Sequence, residues 1–188
     1  MNRKCSPMAD TVMLDNFEKV LRDGLVKVCR NSGLLSEGML QCSPDMTDIW
    51  NGSYLKDYVA DAVENFNEYP ESTLAWPAFL GMAVAHNWDS DWKTHSSDAY
   101  KDYYGPRGFD DMDEHILYDI LHLGNEAAAK VSDTMNSCAQ ATLGLIRHEG
   151  VEPQTADGFF VLVRAYSVMY EIGTAVELNR LGYRMVKS

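Results

Sequence analysis

Four side chains of the kinds that ligate transition metals recur at helical spacing in the second half of the chain. They stand at positions i, i+4, i+7 and i+11 of one stretch: His115, Asp119, His122 and Glu126. On a continuous helix they would share one face, where imidazole and carboxylate groups could hold zinc or iron and support a metal-dependent hydrolase. The apolar side formed by Ile116, Ile120 and Leu123 lies about 140° away from that face. We therefore favour a solvated face over a metal site, and we expect no cofactor.

Four carboxylates repeat the same spacing earlier in the chain: Asp57, Asp61, Glu64 and Glu68. Such a row could hold Mg²⁺ together with a phosphate substrate, as in all-helical nucleotide hydrolases. The row lies nearly opposite the apolar face of Leu55, Val59 and Phe66, which favours a solvated helix surface here too.

A third group of candidate residues follows a run of twelve apolar or small residues, 74–85. A helix that is apolar on all sides must lie inside the fold, so the residues after the run should emerge at the edge of the core. We expect His86 and Asp89 to be substantially buried, paired with each other and close to Arg164. Any pocket there would be walled by three tryptophans: Trp76, Trp88 and Trp92. A satisfied core histidine is the favoured interpretation, and a general base or a polar ligand contact is the alternative.

Arg164 interrupts the apolar run of the last predicted helix, so most of its stem should be buried. A buried guanidinium needs a carboxylate partner. Glu171 lies two turns along the same face, and Asp89 or Asp91 could reach Arg164 from the other central helix. A structural ion pair is favoured, and the alternative is a clamp for the carboxylate of a ligand or another anion.

These candidates require a helical framework, and the hydrophobic periodicity predicts one throughout. No stretch alternates at period two long enough to predict a strand. We predict an all-α fold, in which residues 9–188 form a single-domain bundle of five to seven helices. Two buried central helices are expected at about 70–92 and 156–181. Residues 1–8 are predicted to form a flexible N-terminal tail.

Capping residues predict where several helices begin and end. The expected N-caps are Asp10, Ser43 and Thr155. Two glycines should follow helix ends: Gly33 and Gly182. Apart from a short helix after Ser43, residues 33–52 are expected to be irregular. Pro77 should kink the first central helix, and the long helical pattern of 111–149 should break near 131–133.

Composition and charge narrow the range of functions. A net charge of −12 argues against sequence-independent binding to nucleic acid or to an anionic membrane, because both need a basic face. No apolar region follows the basic N-terminal residues, so the N-terminus is predicted to be neither a secretory signal nor a transmembrane segment. The four cysteines form no C-x-x-C pair: Cys5, Cys29, Cys42 and Cys138. We expect reduced thiols in a cytoplasmic protein, with Cys29 and Cys138 acting as small hydrophobes on apolar helix faces.

The turn-rich segment 96–110 carries aromatic residues that either fold back on the core or contact a partner, and folding back is favoured. Because every strong pattern has a packing explanation, we favour a soluble acidic helical protein that acts by self-association or by binding a protein or small ligand. A weak homodimer is the expected assembly. The alternative function is a metal-dependent hydrolase that uses His115, His122 and neighbouring carboxylates.

Overall fold

The computed structural model describes residues 10–37, 43–152 and 154–183, and this part of the chain is helical without a strand. Its α-helices are, in chain order, α1 (Thr11–Asn31), α2 (Pro44–Ile49), α3 (Leu55–Asn65), α4 (Pro70–His95), α5 (Met112–Glu114), α6 (Asn125–His148) and α7 (Ala156–Arg180). A π-helical turn, Trp50–Tyr54, joins α2 to α3, and a second one, His115–Ile120, extends α5. The resulting six helical stretches confirm the predicted all-α bundle. Residues 1–8, predicted as a tail, lie outside the described residues.

The ends of the helices follow the capping residues. The three predicted N-caps each accept a hydrogen bond from a backbone N–H of the first helical turn, at 3.0 to 3.3 Å: Asp10, Ser43 and Thr155. After α1 and α7 the chain turns at Gly33 and Gly182, with φ of 79° and 94°. This left-handed conformation suits glycine, which has no Cβ to clash.

The core is formed by α4 and α7, as predicted for the two central helices. Every residue from 73 to 85 is buried. The two backbones touch directly, because a Cβ added to Gly173 would lie 1.8 Å from the carbonyl oxygen of Ala78, and one added to Gly81 would lie 2.3 Å from that of Tyr170. α1 packs against α6 and α7, α6 also packs against α4, and α3 contacts both central helices.

By length and composition, α7 could cross a membrane, since an 18-residue window of it has a mean hydropathy of 1.3. In the fold, 67% of that window is buried among the other helices. The core helix of a soluble protein has the same properties, so burial among the other helices is sufficient to explain the length and hydropathy of α7.

Two expectations about helix continuity are wrong. In α4 the dihedral angles depart from helical values at Asp91 (φ −160°, ψ 72°) rather than at Pro77. The Asp91 carboxylate accepts hydrogen bonds from the backbone N–H and hydroxyl of Thr94, and so caps the last turn of α4 as a new helix start. Of the segment expected to be irregular, residues 33–37 are irregular and 38–42 lie outside the described residues. The short helix after Ser43 is present, but residues 50–52 are helical too, because the π-helical turn carries α2 directly into α3.

The expected break near 131–133 is also wrong. α6 runs through these positions because Val131, Met135 and Cys138 are buried and keep one apolar face continuous. The chain breaks earlier, at 121–124, where His122 has a φ of 53° and Gly124 becomes the N-cap of α6.

The segment 96–110 folds back on the core, as favoured from the sequence. Tyr100 and Tyr103 are buried, while Tyr104 and Phe109 are partly buried against the core. The segment is held by the buried carboxylate of Asp111, which accepts a hydrogen bond at 3.1 Å from the backbone N–H of residue 107. These aromatic rings contribute to the fold of the monomer and are largely unavailable to a partner.

Candidate functional site

His86 lies at the contact between the C-terminal halves of α4 and α7. Its Nδ1 is 3.1 Å from Oε1 of Glu177, a fully buried carboxylate. Arg180 donates two hydrogen bonds to the same carboxylate, at 2.6 and 2.7 Å. The expected pairing of His86 with Asp89 is therefore wrong. Asp89 is exposed and accepts a hydrogen bond from the hydroxyl of Tyr183 at 2.5 Å.

His86 is half-buried, with 24% of its side chain exposed. The buried carboxylate is fully satisfied by one imidazole and one guanidinium, which is what a buried charge requires. This arrangement is a satisfied structural contact that holds the ends of α4 and α7 together. His86 thus has a hydrogen-bond partner, as the favoured interpretation requires, but the partner is Glu177 and not Asp89.

The three candidate tryptophans lie in separate environments and do not wall a common pocket. Trp88 donates from Nε1 to a carboxylate oxygen of Asp45 at 3.0 Å and its ring centre is 5.8 Å from that of Tyr183. Trp92 is partly buried against the core. Trp76 packs edge-on against Phe109 with 4.1 Å between ring centres. At 1.5 Å per residue, Trp76 and Trp88 are about 18 Å apart along α4, too far to share one small-ligand pocket.

Arg164 forms the expected structural ion pair, but its partners lie on α1. Its guanidinium contacts Glu18 and is 3.2 Å from Asp15. Glu18 also binds Arg22 at 2.7 Å, and Arg22 binds Glu171 at 3.0 Å. Charges of alternating sign thus link α1 to α7.

The proposed contacts of Arg164 with Glu171, Asp89 or Asp91 are wrong, and so is its proximity to His86. Along α7, Arg164 stands thirteen positions before Glu177, the partner of His86. Thirteen residues of helix span about 20 Å.

The charge network changes the acidity of Glu18. Burial alone would raise the pKa of this carboxyl, but the hydrogen bonds and positive charges of Arg22 and Arg164 outweigh it and hold the pKa below its ordinary value. The guanidinium of Arg164 is therefore committed to carboxylates of its own chain.

The four metal-ligand candidates are separated by the break after the second π-helical turn. His115 Nδ1 binds Asp119 at 2.8 Å, but His122 lies beyond the end of that turn and Glu126 is on α6. These four residues would share a face only on a continuous helix. In the structure that helix ends at residue 120. Within the described ranges, no three histidine, cysteine or carboxylate side chains lie close enough together to hold a metal ion. The acidic row of α3 is solvated as expected, apart from Asp61, which accepts a hydrogen bond from Tyr104 at 2.6 Å.

A cleft of about 350 Å³ opens where the α3–α4 connection meets the end of α6. It is referred to below as the connection cleft, and it is lined by Phe66, Asn67, Pro70, Leu143, Ile146, Arg147, Gly150, Val151 and Glu152. Phe66, Leu143 and Ile146 are buried and form an apolar floor. Gly150, with a φ of 65°, ends α6 and redirects the chain, so Val151 packs back against the core. The volume falls within the range of small-ligand sites.

The rim of the connection cleft carries two opposite charges. Arg147 lies in the last turn of α6, and Glu152 lies in the connection to α7. Both are exposed, and neither side chain forms an ion pair or hydrogen bond with another residue of 10–37, 43–152 or 154–183. The cleft thus combines an apolar floor with a cation and an anion that the fold does not use.

The sequence patterns did not indicate this cleft. Its lining comes from the α3–α4 connection and from the end of α6 with the residues that follow it, about eighty residues apart in the chain. No periodicity within either segment predicts that they meet. The only local signal was Gly150 followed by Val151, which is typical of a helix end with an apolar contact. Comparison with protein families, curated proteins and solved structures finds no match to this chain.

Proposed function

We propose that this is a soluble, cytoplasmic, non-enzymatic protein that binds a small zwitterion with an apolar side chain, of the amino-acid class, in the connection cleft. The observation that carries the proposal is the apolar floor beneath two opposite charges that have no partner within the part of the chain that the structure describes. It selects one of the three modes of action left open by the sequence, which were self-association, binding of a protein and binding of a small ligand.

Each part of such a ligand has a counterpart in the cleft. Phe66, Leu143 and Ile146 offer apolar contact to the side chain, which gains free energy on leaving water. Arg147 can donate charge-assisted hydrogen bonds to the carboxylate, and Glu152 can accept them from the ammonium group. A ligand with both charges satisfies both rim residues, whereas a ligand with one charge leaves the other rim residue without a partner.

Binding is favoured over hydrolysis because the described residues offer no assembled catalytic group at this cleft. The metal-dependent hydrolase remains the weaker proposal, since its two histidines are divided between two segments: His115 is partly buried in the π-helical turn and His122 is exposed beyond it. His86 has a carboxylate partner, but that carboxylate is also held by Arg180, so the pair is accounted for by packing α4 on α7.

The test is isothermal titration with three related probes: phenylalanine, hydrocinnamate, which lacks the ammonium group, and phenethylamine, which lacks the carboxylate. Arg147→Gln should weaken the binding of phenylalanine and of hydrocinnamate by about tenfold or more, and it should leave the affinity for phenethylamine unchanged. Glu152→Gln should weaken the binding of phenylalanine and of phenethylamine, and it should leave the affinity for hydrocinnamate unchanged. Lys56→Gln removes one exposed positive charge from α3, away from the cleft, and should change none of the three affinities.

Two results would contradict the proposal. One is the absence of binding for all three probes at millimolar concentration. The other is binding that responds equally to Arg147→Gln and Lys56→Gln, because the effect would then come from net charge rather than from the rim of the cleft.

A further inference from the structure

Two buried cysteines face each other across the contact of α1 with α6. Cys29 and Cys138 are both fully buried, and their sulfur atoms are 3.7 Å apart. At this distance one thiol donates a weak hydrogen bond to the other. A disulfide has an S–S distance of about 2.05 Å, so the two sulfurs need to approach by only about 1.7 Å to form one.

We propose that Cys29 and Cys138 form a site of intramolecular disulfide formation that reacts with low-molecular-weight disulfides of the glutathione class. The two helices already hold the sulfurs face to face, so closure needs side-chain rotation and a small adjustment of the α1–α6 contact rather than a rearrangement of the fold. The inference is independent of the connection cleft.

The reaction proceeds by two thiol–disulfide exchanges. The thiolate of one of the two cysteines attacks one sulfur of the small disulfide, forms a mixed disulfide and releases one small thiolate. The thiolate of the other cysteine then attacks the protein sulfur of the mixed disulfide, forms the protein disulfide and releases the second small thiolate. The two protein thiol protons end on the two released thiolates, so two protein thiols are oxidised and one small disulfide is reduced.

The buried environment slows the first attack. The hydrogen bond with Cys29, together with burial, raises the pKa of the Cys138 thiol, so this thiol keeps its proton in the folded protein.

A second cleft lies over the same helix contact and gives the small disulfide a place to approach. Its lining comes from both helices, next to the two cysteines in sequence: Val28, Asn31, Ser32, Asp133, Thr134 and Ser137. The cleft has a volume of about 370 Å³ and is open to solvent. Neither cysteine lines this cleft and both are fully buried, so reaction requires α1 to separate locally from α6. It should therefore be slower in the native protein than in urea.

The bond would connect residues 109 positions apart and tie α1 to α6. A cross-link that closes so long a loop restricts the unfolded chain strongly, so the oxidised protein should be more resistant to unfolding.

The test uses the full-length protein with Cys5→Ser and Cys42→Ser, which leaves only the proposed pair. After incubation of the folded protein with oxidised glutathione, intact mass spectrometry should show the loss of two hydrogens, and non-reducing peptide mapping should show Cys29 linked to Cys138. The midpoint of thermal unfolding should rise by about 5–10 °C and return after reduction. The same background with Cys138→Ala is the control, and it should form no internal bond.

Two outcomes would overturn the proposal. In one, both thiols remain free after long incubation and are alkylated only on denaturation. In the other, a glutathione adduct accumulates on one cysteine without conversion to the internal bond, which would mean that the sulfurs cannot meet in the folded protein.

Discussion

Replacing Gly173 with alanine should destabilise the fold by about 3–5 kcal/mol, because this residue lies where the two central helices touch. The added Cβ would be 1.8 Å from the carbonyl oxygen of Ala78, whereas ordinary contact is 3.4–4 Å. The obstructing atom belongs to the backbone of α4, so it cannot move aside as a flexible side chain would. α4 and α7 must therefore separate locally by about 1.5–2 Å.

Separation on this scale is costly in a close-packed core. A gap of even 0.5–1 Å forfeits about a quarter to a half of the attraction between facing atoms. The gain in helix propensity of alanine over glycine, about 0.5–1 kcal/mol, offsets only part of the loss. Gly81→Ala should act in the same direction, since its Cβ would lie 2.3 Å from the carbonyl oxygen of Tyr170.

Matched controls are available inside two other helices. Gly24 in α1 and Gly144 in α6 have no atom within 4 Å of an added Cβ. Alanine at either position should stabilise the protein by about 0.5–1 kcal/mol. Urea unfolding followed by far-UV circular dichroism measures all four variants. If the free energies of unfolding of Gly173→Ala and Gly144→Ala differ by less than about 0.5 kcal/mol, the two backbones are not in direct contact at Gly173.

Three further predictions concern polar groups. Glu18→Gln should cost about 1–2 kcal/mol at neutral pH, between the values for exposed and buried ion pairs. Since the pKa of Glu18 is lowered in the folded protein, its stabilising contribution is fully present above pH 4.5 and is lost as the pH falls through the folded pKa. The urea midpoint of Glu18→Gln should therefore fall less on acidification than that of the unsubstituted protein. Tyr166→Phe should change the thermal midpoint little or raise it, because this buried hydroxyl has no hydrogen-bond partner among the described residues. Joint replacement of His115 and His122 by alanine should change stability by well under 1 kcal/mol, and stoichiometric zinc or iron lost in that variant would refute the solvated face.

Features of the fold that depend on neighbouring residues in the chain could be predicted from the sequence. The apolar run 74–85 had to be buried wherever its helix packed, and it lies in the core. Asp10 and Thr155 cap their helices because a side-chain oxygen beside free backbone N–H groups needs no tertiary contact.

Features that depend on residues distant in the chain could not be predicted in the same way. Arg164 required a carboxylate, and the sequence indicated that need correctly, but it could not show that Glu18 on α1 would supply it. His86 likewise required a partner, and the nearest candidate in the chain, Asp89, was displaced by Glu177 from the facing helix. The metal candidates do not share a face for a local reason. A π-helical turn and a left-handed residue at His122 interrupt the helix, and Gly124, which marks the interruption in the sequence, lies inside the stretch that the spacing treated as one helix.

The position of the connection cleft follows from the closeness of the central helices. With the backbones of α4 and α7 in contact at Gly81 and Gly173, no space for a ligand remains where they cross. Space opens at the end of the bundle, where the chain leaves α6 and turns at Gly150. Under the proposed function, stability and ligand recognition depend on different residues. Arg147→Gln should alter affinity without altering the unfolding midpoint, because its side chain has no hydrogen bond or ion pair with any described residue.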